Sequence, residues 1–140
     1  MTLQPLVFDS VPLPLDAGEA RGLSRADIVI SGVEQAGPSF ELRVFVNNPS
    51  ATADTPTTPE NGYADSVYVY GYGTAAASGL ERESRGARLP MTRYVVATEV
   101  LGAAAAKGEA VSITLVPVPF GDPGLDVDLA SAHVSVVIRE

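Results

Sequence analysis

The sequence has no cysteine and only one histidine, His133. Without cysteine, the chain has no disulfide, no thiolate metal site and no cysteine nucleophile. Zinc and copper sites in proteins usually draw two or more histidine or cysteine ligands, so we expect no protein-built metal site of this kind and no cofactor. No G-x-S-x-G motif places a serine beside the histidine for Ser-His-Asp catalysis. We therefore expect His133 to be a structural or surface residue.

Basic residues are also scarce. Nine Lys and Arg side chains stand against seventeen Asp and Glu, which leaves a net charge of −8. Phosphate backbones and anionic headgroups repel such a chain, so we expect neither nucleic acid nor an acidic membrane as a partner. Residues 1–10 have no basic or apolar signal-peptide region, so we expect no signal peptide in this sequence, and no run approaches the roughly 18 apolar residues that span a bilayer. We expect a water-soluble protein that is cytoplasmic or part of a longer protein.

What the sequence does contain is alternation with a period of two, the pattern of half-buried strands. Between 39 and 49 the apolar set Phe40, Leu42, Val44 and Val46 alternates with Glu41, Arg43, Phe45 and Asn47. Similar patterns predict strands at 3–8, 25–33, 40–47, 63–73, 91–96, 110–118 and 128–139. The expected inward residues of the last two strands are Val111, Ile113, Leu115, Ala132, Val134, Val136 and Ile138. The proline-containing run 11–15 suits an edge or extended segment.

One segment breaks the alternation. Thr98 occupies an N-cap position, Glu99 lies in the first turn, Lys107 lies in the last turn, and Gly108 follows the end. These signals predict one short helix near 99–107. Its expected inward stripe is Val100, Leu101 and Ala104.

Seven to eight short strands separated by turns predict an all-β fold. We expect a two-sheet antiparallel sandwich, jelly-roll or Greek-key-like, that forms a single domain over residues 1–140. Residues 25–47 form either a hairpin or a pair that crosses between sheets. The long connection 48–62 is expected to lie on the surface.

Acidic residues and tyrosines supply further candidate sites. The spacing of Asp122, Asp126 and Asp128 can gather oxygen ligands for calcium, but it lacks the EF-hand glycine and bidentate glutamate, and turn chemistry also explains it. Those aspartates, or Glu81 with Glu83, are weak as a glycosidase pair, because sequence neighbours do not fix a separation across a cleft. The tyrosines offer a stacking platform for a sugar or a partner, or else pack beneath the long loops; they are Tyr63, Tyr68, Tyr70 and Tyr72.

Several segments, taken in order, resemble a known family. They are DIVISGV at 27–33, SFELRVFVNNP at 39–49, YADSVYVYGYG at 63–73, TEVL at 98–101 and VSITLVPV at 111–118. Together they are similar to the C-terminal β-sandwich domain attached to the dicopper domain of plant-type polyphenol oxidases and related tyrosinases. The resemblance covers residues 25–118.

The resemblance implies a role without catalysis. The dicopper enzymes hold their metals with six histidines from a helical bundle, whereas this chain has one histidine, so it is not the oxidase itself. In the family, the matching domain caps the entrance to the copper site. The resemblance implies a protein that contacts a tyrosinase-like dicopper oxidase and shields, stabilises or helps mature it. Tyr72 and Phe120 are the bulky candidates for this contact, and core or turn packing is the alternative for each.

Three other functions remain open at this stage. A carbohydrate- or small-ligand-binding sandwich would use the aromatic strand and the two long loops. A small enzyme would pair His133 with Asp126 or Asp128. A homo-oligomeric structural subunit would pair its open sheet edges.

Overall fold

In the computed structural model, the described residues are 5–13, 25–33, 39–70, 91–105, 110–120 and 129–139. They contain seven strands: β1 (Leu6–Pro12), β2 (Arg25–Val33), β3 (Phe40–Val46), β4 (Tyr63–Val69), β5 (Met91–Val96), β6 (Ala110–Pro119) and β7 (His133–Arg139). Between β5 and β6 lies one helix, α1 (Thr98–Ala105), and a 3₁₀ turn (Pro59–Asn61) precedes β4. No helix among the described residues is long and apolar enough to cross a membrane.

The strands form two antiparallel sheets, as the sequence predicts. The four-stranded sheet has the order β1-β6-β3-β4 and the three-stranded sheet has the order β5-β2-β7. Because β2 and β3 lie in different sheets, residues 25–47 are a sheet-crossing pair and not a hairpin. β1, with its proline, lies at an edge as expected.

The inward faces of both sheets form one hydrophobic core. All four predicted inward residues of β3 are at most 3% exposed, and they share this core with Ala26, Ile28 and Ile30 of β2. The predicted inward residues of the later elements are buried in it or pack against it: Val111, Ile113, Leu115, Ala132, Val134, Val136, Ile138, Val100, Leu101 and Ala104. The period-two and helical patterns therefore identified the core correctly.

Strand ends differ from the prediction in ways that hydrogen bonds explain. β7 begins at His133, because residues 129–132 form a turn in which the Ala132 N–H donates to the Leu129 carbonyl at 3.0 Å. β6 extends through Pro117 and Pro119. Its described pairing with β1 reaches Leu115, and the Phe120 N–H points towards β3 and donates to the Ser39 carbonyl. Backbone N–H groups of a strand point to alternate sides, so positions 117 and 119 face away from β3 when position 120 faces it. The N–H groups that proline lacks are therefore on the side away from β3, and no described hydrogen bond between β6 and β3 is lost.

The N-terminus of α1 is fixed to β2. The Ala97 N–H donates to the Ala26 carbonyl at 2.8 Å, and the Ala26 N–H donates to the Thr98 hydroxyl at 3.0 Å. The first helical bond runs from the Leu101 N–H to the Ala97 carbonyl, so the cap position belongs to Ala97 and the prediction of Thr98 as N-cap was one residue late. The Thr98 hydroxyl instead accepts the N–H of Ala26 in β2 and so joins the helix to the sheet.

Residues 47–62, here named the cover segment, close part of the outer face of the four-stranded sheet. Phe45 points outward from β3 as predicted, yet it is fully buried with Ala51 of the cover segment and Val116 of β6. Thr114, also outward on β6, is fully buried, and its hydroxyl donates to a carbonyl of the cover segment at 3.0 Å. The long connection is therefore a packed layer.

Hydrogen bonds hold the cover segment at both ends. At its start, Asn47 exchanges bonds with Ser112: the Asn47 N–H donates to the Ser112 carbonyl, and the Ser112 N–H donates to Asn47 Oδ1. Asn47 has φ 56°, a left-handed conformation that asparagine tolerates. At its end, the Val46 N–H donates to the Gly62 carbonyl at 2.8 Å. Gly62 has φ 83°, and a Cβ there would lie 2.1 Å from the Val46 carbonyl oxygen.

We expect Gly62→Ala to lower the free energy of unfolding by about 2–4 kcal/mol, because alanine is strained at this φ and its Cβ collides with backbone. Urea denaturation measures the change. Glu60→Ala, at an exposed position in the same turn, is the control and should shift stability by less than about 0.5 kcal/mol. Equal stabilities of the two variants would contradict this account.

We expect Thr98→Val to destabilise the protein by about 1–3 kcal/mol, because the buried Ala26 N–H loses its acceptor while the side-chain volume is kept. Thr98→Ser keeps the hydroxyl and should retain most of the stability. The midpoints of chemical denaturation compare the two. If serine costs as much as valine, packing of the methyl group and not the hydrogen bond fixes α1.

Candidate contact surface and groove

Three aromatic side chains remain exposed on the part of the four-stranded sheet that the cover segment leaves open. Tyr68 of β4 is 50% exposed, and Phe120, just after β6, is 53% exposed. Tyr70, just after β4, is exposed further still. The rings of Tyr68 and Phe120 stack diagonally across β3, with centroids 6.0 Å apart and planes 12° apart. We name Tyr68, Tyr70 and Phe120 the aromatic surface.

A chain of hydrogen bonds runs beside the aromatic surface towards the cover segment. Ser66 Oγ donates to Glu41 Oε2 at 2.7 Å and lies 2.6 Å from the Tyr63 hydroxyl. Because the single Ser66 proton goes to the carboxylate, the Tyr63 hydroxyl donates to Ser66. The ring of Tyr63 packs on the buried Phe45. Tyr63 therefore packs beside a long connection, which was one of the two predictions for the tyrosines. Tyr68 and Tyr70 are exposed, and their use as a stacking platform stays a prediction.

Arg43 joins this chain to the cover segment. Its Nη1 donates to the Ala53 carbonyl at 3.0 Å, and its Nε lies 3.2 Å from Glu41 Oε2. The Nε–H makes no hydrogen bond with that oxygen despite the short distance, so the second contact is an ion pair only. Because both side chains are largely buried, Arg43 offsets the charge of Glu41 beneath the aromatic surface.

A groove of about 490 Å³ opens where the cover segment meets α1. One wall includes Asn47, Asn48 and residues 59–62, and the other is the face of α1 that carries Glu99, Val100, Ala103 and Ala104. Val46 of β3 also lines it. No sequence signal indicated this groove, because its two walls come from separate stretches of the chain and neither has a motif of its own.

The other candidates from the sequence are not assembled into a site among the described residues. His133 is exposed at the start of β7, and no group of three or more His, Asp or Glu side chains suited to a metal occurs in the described ranges. Tyr72, Glu81 and Glu83 lie outside the described residues, as do Asp122, Asp126 and Asp128. The calcium, glycosidase and His133-based hypotheses therefore remain predictions.

A separate polar pair lies on the outer face of the three-stranded sheet. Asp27 of β2 is fully buried, and Arg25 Nε donates to its Oδ1 at 2.8 Å. This hydrogen bond and the charge of Asp27 raise the pKa of Arg25. Arg25 balances the charge of the buried Asp27 carboxylate, and this structural role indicates no reaction at this face.

Partial burial, aided by the charges of Asp65 and Glu41, raises the pKa of Tyr63. The neutral phenol is thus favoured in the folded state. Its contribution to stability is complete below the unfolded pKa, near 10, and is lost as pH rises through the folded pKa. Ultraviolet titration should show a late tyrosine ionisation, and Tyr63→Phe should remove that step. A titration in which this variant keeps the late step would contradict the assignment.

Comparison with solved structures identifies where this fold occurs. Latent aurone synthase (polyphenol oxidase) from its natural source superposes on 99% of this chain with a TM-score of 0.58 and 19% identity. The recombinantly expressed latent enzyme covers 96% with a TM-score of 0.55 and 18% identity. Neither a protein-family model nor a curated protein matches the sequence.

The chain spans about a quarter of the length of those polyphenol oxidase chains. Such coverage is expected for one domain of a larger protein. At this level of identity the similarity establishes the fold. The predicted resemblance is confirmed at that level: this chain has the fold of a part of polyphenol oxidase.

Proposed function

We propose that this chain is a non-catalytic β-sandwich that binds a tyrosinase-like dicopper oxidase and shields, stabilises or helps mature it. The observation that carries the proposal is the superposition of nearly the whole chain on a quarter of latent polyphenol oxidase. The ordered segment resemblance in residues 25–118 supports the same partner.

The aromatic surface is the proposed centre of the contact. Exposed aromatic side chains are frequent energetic anchors in protein interfaces. Covering the open half of one such ring removes about 100 Å² from water, which stabilises a complex by about 2.5 kcal/mol. Tyr68 and Phe120 together therefore contribute about 5 kcal/mol.

Two rings alone do not make a stable complex. Association costs about 4–15 kcal/mol in lost freedom of motion, and stable interfaces bury about 800 Å² on each partner. The contact must therefore extend beyond the aromatic surface. Because Tyr68 and Phe120 stack on each other, they meet a partner as one preformed unit and lose little side-chain freedom on binding.

The test uses a tyrosinase-type oxidase from which its own sandwich domain has been removed. We expect this chain to bind it with a micromolar Kd and to lower its diphenol oxidase activity. Phe120→Ala and Tyr68→Ala should each weaken binding about tenfold or more. Tyr94→Ala, which removes an equally exposed ring from β5, is the matched control and should bind like the wild type.

Absence of binding by the folded wild type at 100 μM of either protein would overturn the proposed function. Normal binding by the Phe120 and Tyr68 variants would instead show that the partner does not contact the aromatic surface. Light scattering of the chain alone measures its mass in solution and so tests the homo-oligomer alternative. A glycan array that compares the wild type with Tyr70→Ala tests the carbohydrate-binding alternative.

A further inference from the structure

The groove between α1 and the cover segment has the composition of a binding site for a cation with an apolar stem. Its apolar part includes Val46, Val100 and Ala104, which are buried or half-buried, together with the exposed Pro59 and Ala103. About 490 Å³ is within the ordinary range of ligand pockets, which is roughly 300–1,000 Å³. The groove therefore has room for a long side chain and the backbone that carries it.

The polar groups of the groove are mainly acceptors. Asn48 Nδ2 donates to the Asn61 carbonyl at 2.8 Å, and Asn61 Nδ2 donates to the Thr58 hydroxyl at 2.9 Å. These bonds use one N–H of each amide within the cover segment, while the two amide oxygens accept no described hydrogen bond and are left for a ligand. Asn47 is the exception, because its Oδ1 already accepts the Ser112 N–H. A ligand that supplies several N–H donors matches this wall.

The charge of the groove selects a positive ligand. Glu60 on one wall and Glu99 on the other are both exposed, and the described lining contains no Lys or Arg. The N-terminus of α1 opposes a cation with about half an elementary charge, but Glu99 lies in the same turn with a full negative charge and exceeds it. The net field at the groove is therefore negative.

We propose that the groove binds an arginine side chain of a partner segment. The guanidinium offers five N–H donors and a permanent charge, and its methylene stem covers apolar surface. Lysine has a comparable stem but only a compact, strongly hydrated charge with three donors, so it fits an acceptor-lined wall less well. The groove shares no residue with the aromatic surface, and the proposal does not depend on the proposed function.

The experiment is a titration of the ¹⁵N-labelled full chain with the peptide acetyl-Gly-Arg-Gly-amide. We expect saturable shifts of the Asn61, Gly62 and Ala103 amides with a millimolar Kd. The same peptide with citrulline, which keeps the shape but lacks the charge, should give no saturable shift at these amides. The lysine peptide should bind at least threefold more weakly.

Variants separate a site from general attraction to an acidic protein. Glu60→Gln and Glu99→Gln should each weaken binding about two- to fivefold, the range of exposed ion pairs. Asp9→Asn removes an exposed carboxylate of β1 that does not line the groove, and it should bind like the wild type. Ala103→Leu places a larger side chain in the groove and should weaken binding by narrowing it, while the wild-type spectrum elsewhere verifies the fold.

Absence of saturable shifts at 10 mM peptide would overturn the proposal. So would equal weakening by Asp9→Asn, Glu60→Gln and Glu99→Gln, which would indicate attraction by net charge alone. Because no oxidase is present in this titration, its outcome is independent of the outcome for the dicopper partner.

Discussion

Burial of β3 on both faces is the constraint on which the other described features depend. Its inward residues fill the space between the two sheets, while Phe45 on the opposite face is sealed by the cover segment. The part of the outer face that the cover segment does not reach carries the aromatic surface. Where it meets α1, the groove forms. The positions of both candidate sites thus follow from how far one connection covers one strand.

The sequence predicted the parts of this structure that depend on local periodicity. Alternation identified the inward residues of β3, β6 and β7, because successive side chains of a strand point to opposite faces and one of those faces lies in the core. It could not reveal that Phe45 and Thr114 are buried on the outer face, since their cover comes from a connection without alternation whose packing on the sheet no local pattern indicates. Phe120 was named from its size and its turn, but its stacking on Tyr68 depends on the register across β3. The groove left no sequence signal for the same reason.

The two surfaces differ in the contacts that they offer. The aromatic surface is apolar, and the charge of the Glu41 carboxylate beneath it is balanced by Arg43. The groove is recessed, lined by acceptors and carries two carboxylates without a described counter-ion. Apolar contact contributes mainly to affinity, whereas charge complementarity favours specificity and rapid encounter. A single partner that engaged both would combine these contributions without competition between them.

Pro117 and Pro119 limit the geometry by which another polypeptide joins this sheet. A foreign strand can extend an exposed sheet edge only if the edge offers both N–H donors and carbonyl acceptors. Beyond the described pairing with β1, Pro117 and Pro119 carry carbonyls but no N–H donors on the side away from β3, so β-augmentation by a foreign strand is disfavoured at these positions. The same protection reduces edge-to-edge aggregation. At the end of β6, a partner polypeptide is therefore recognised through side chains and not through strand pairing. The side chain that follows the prolines is Phe120.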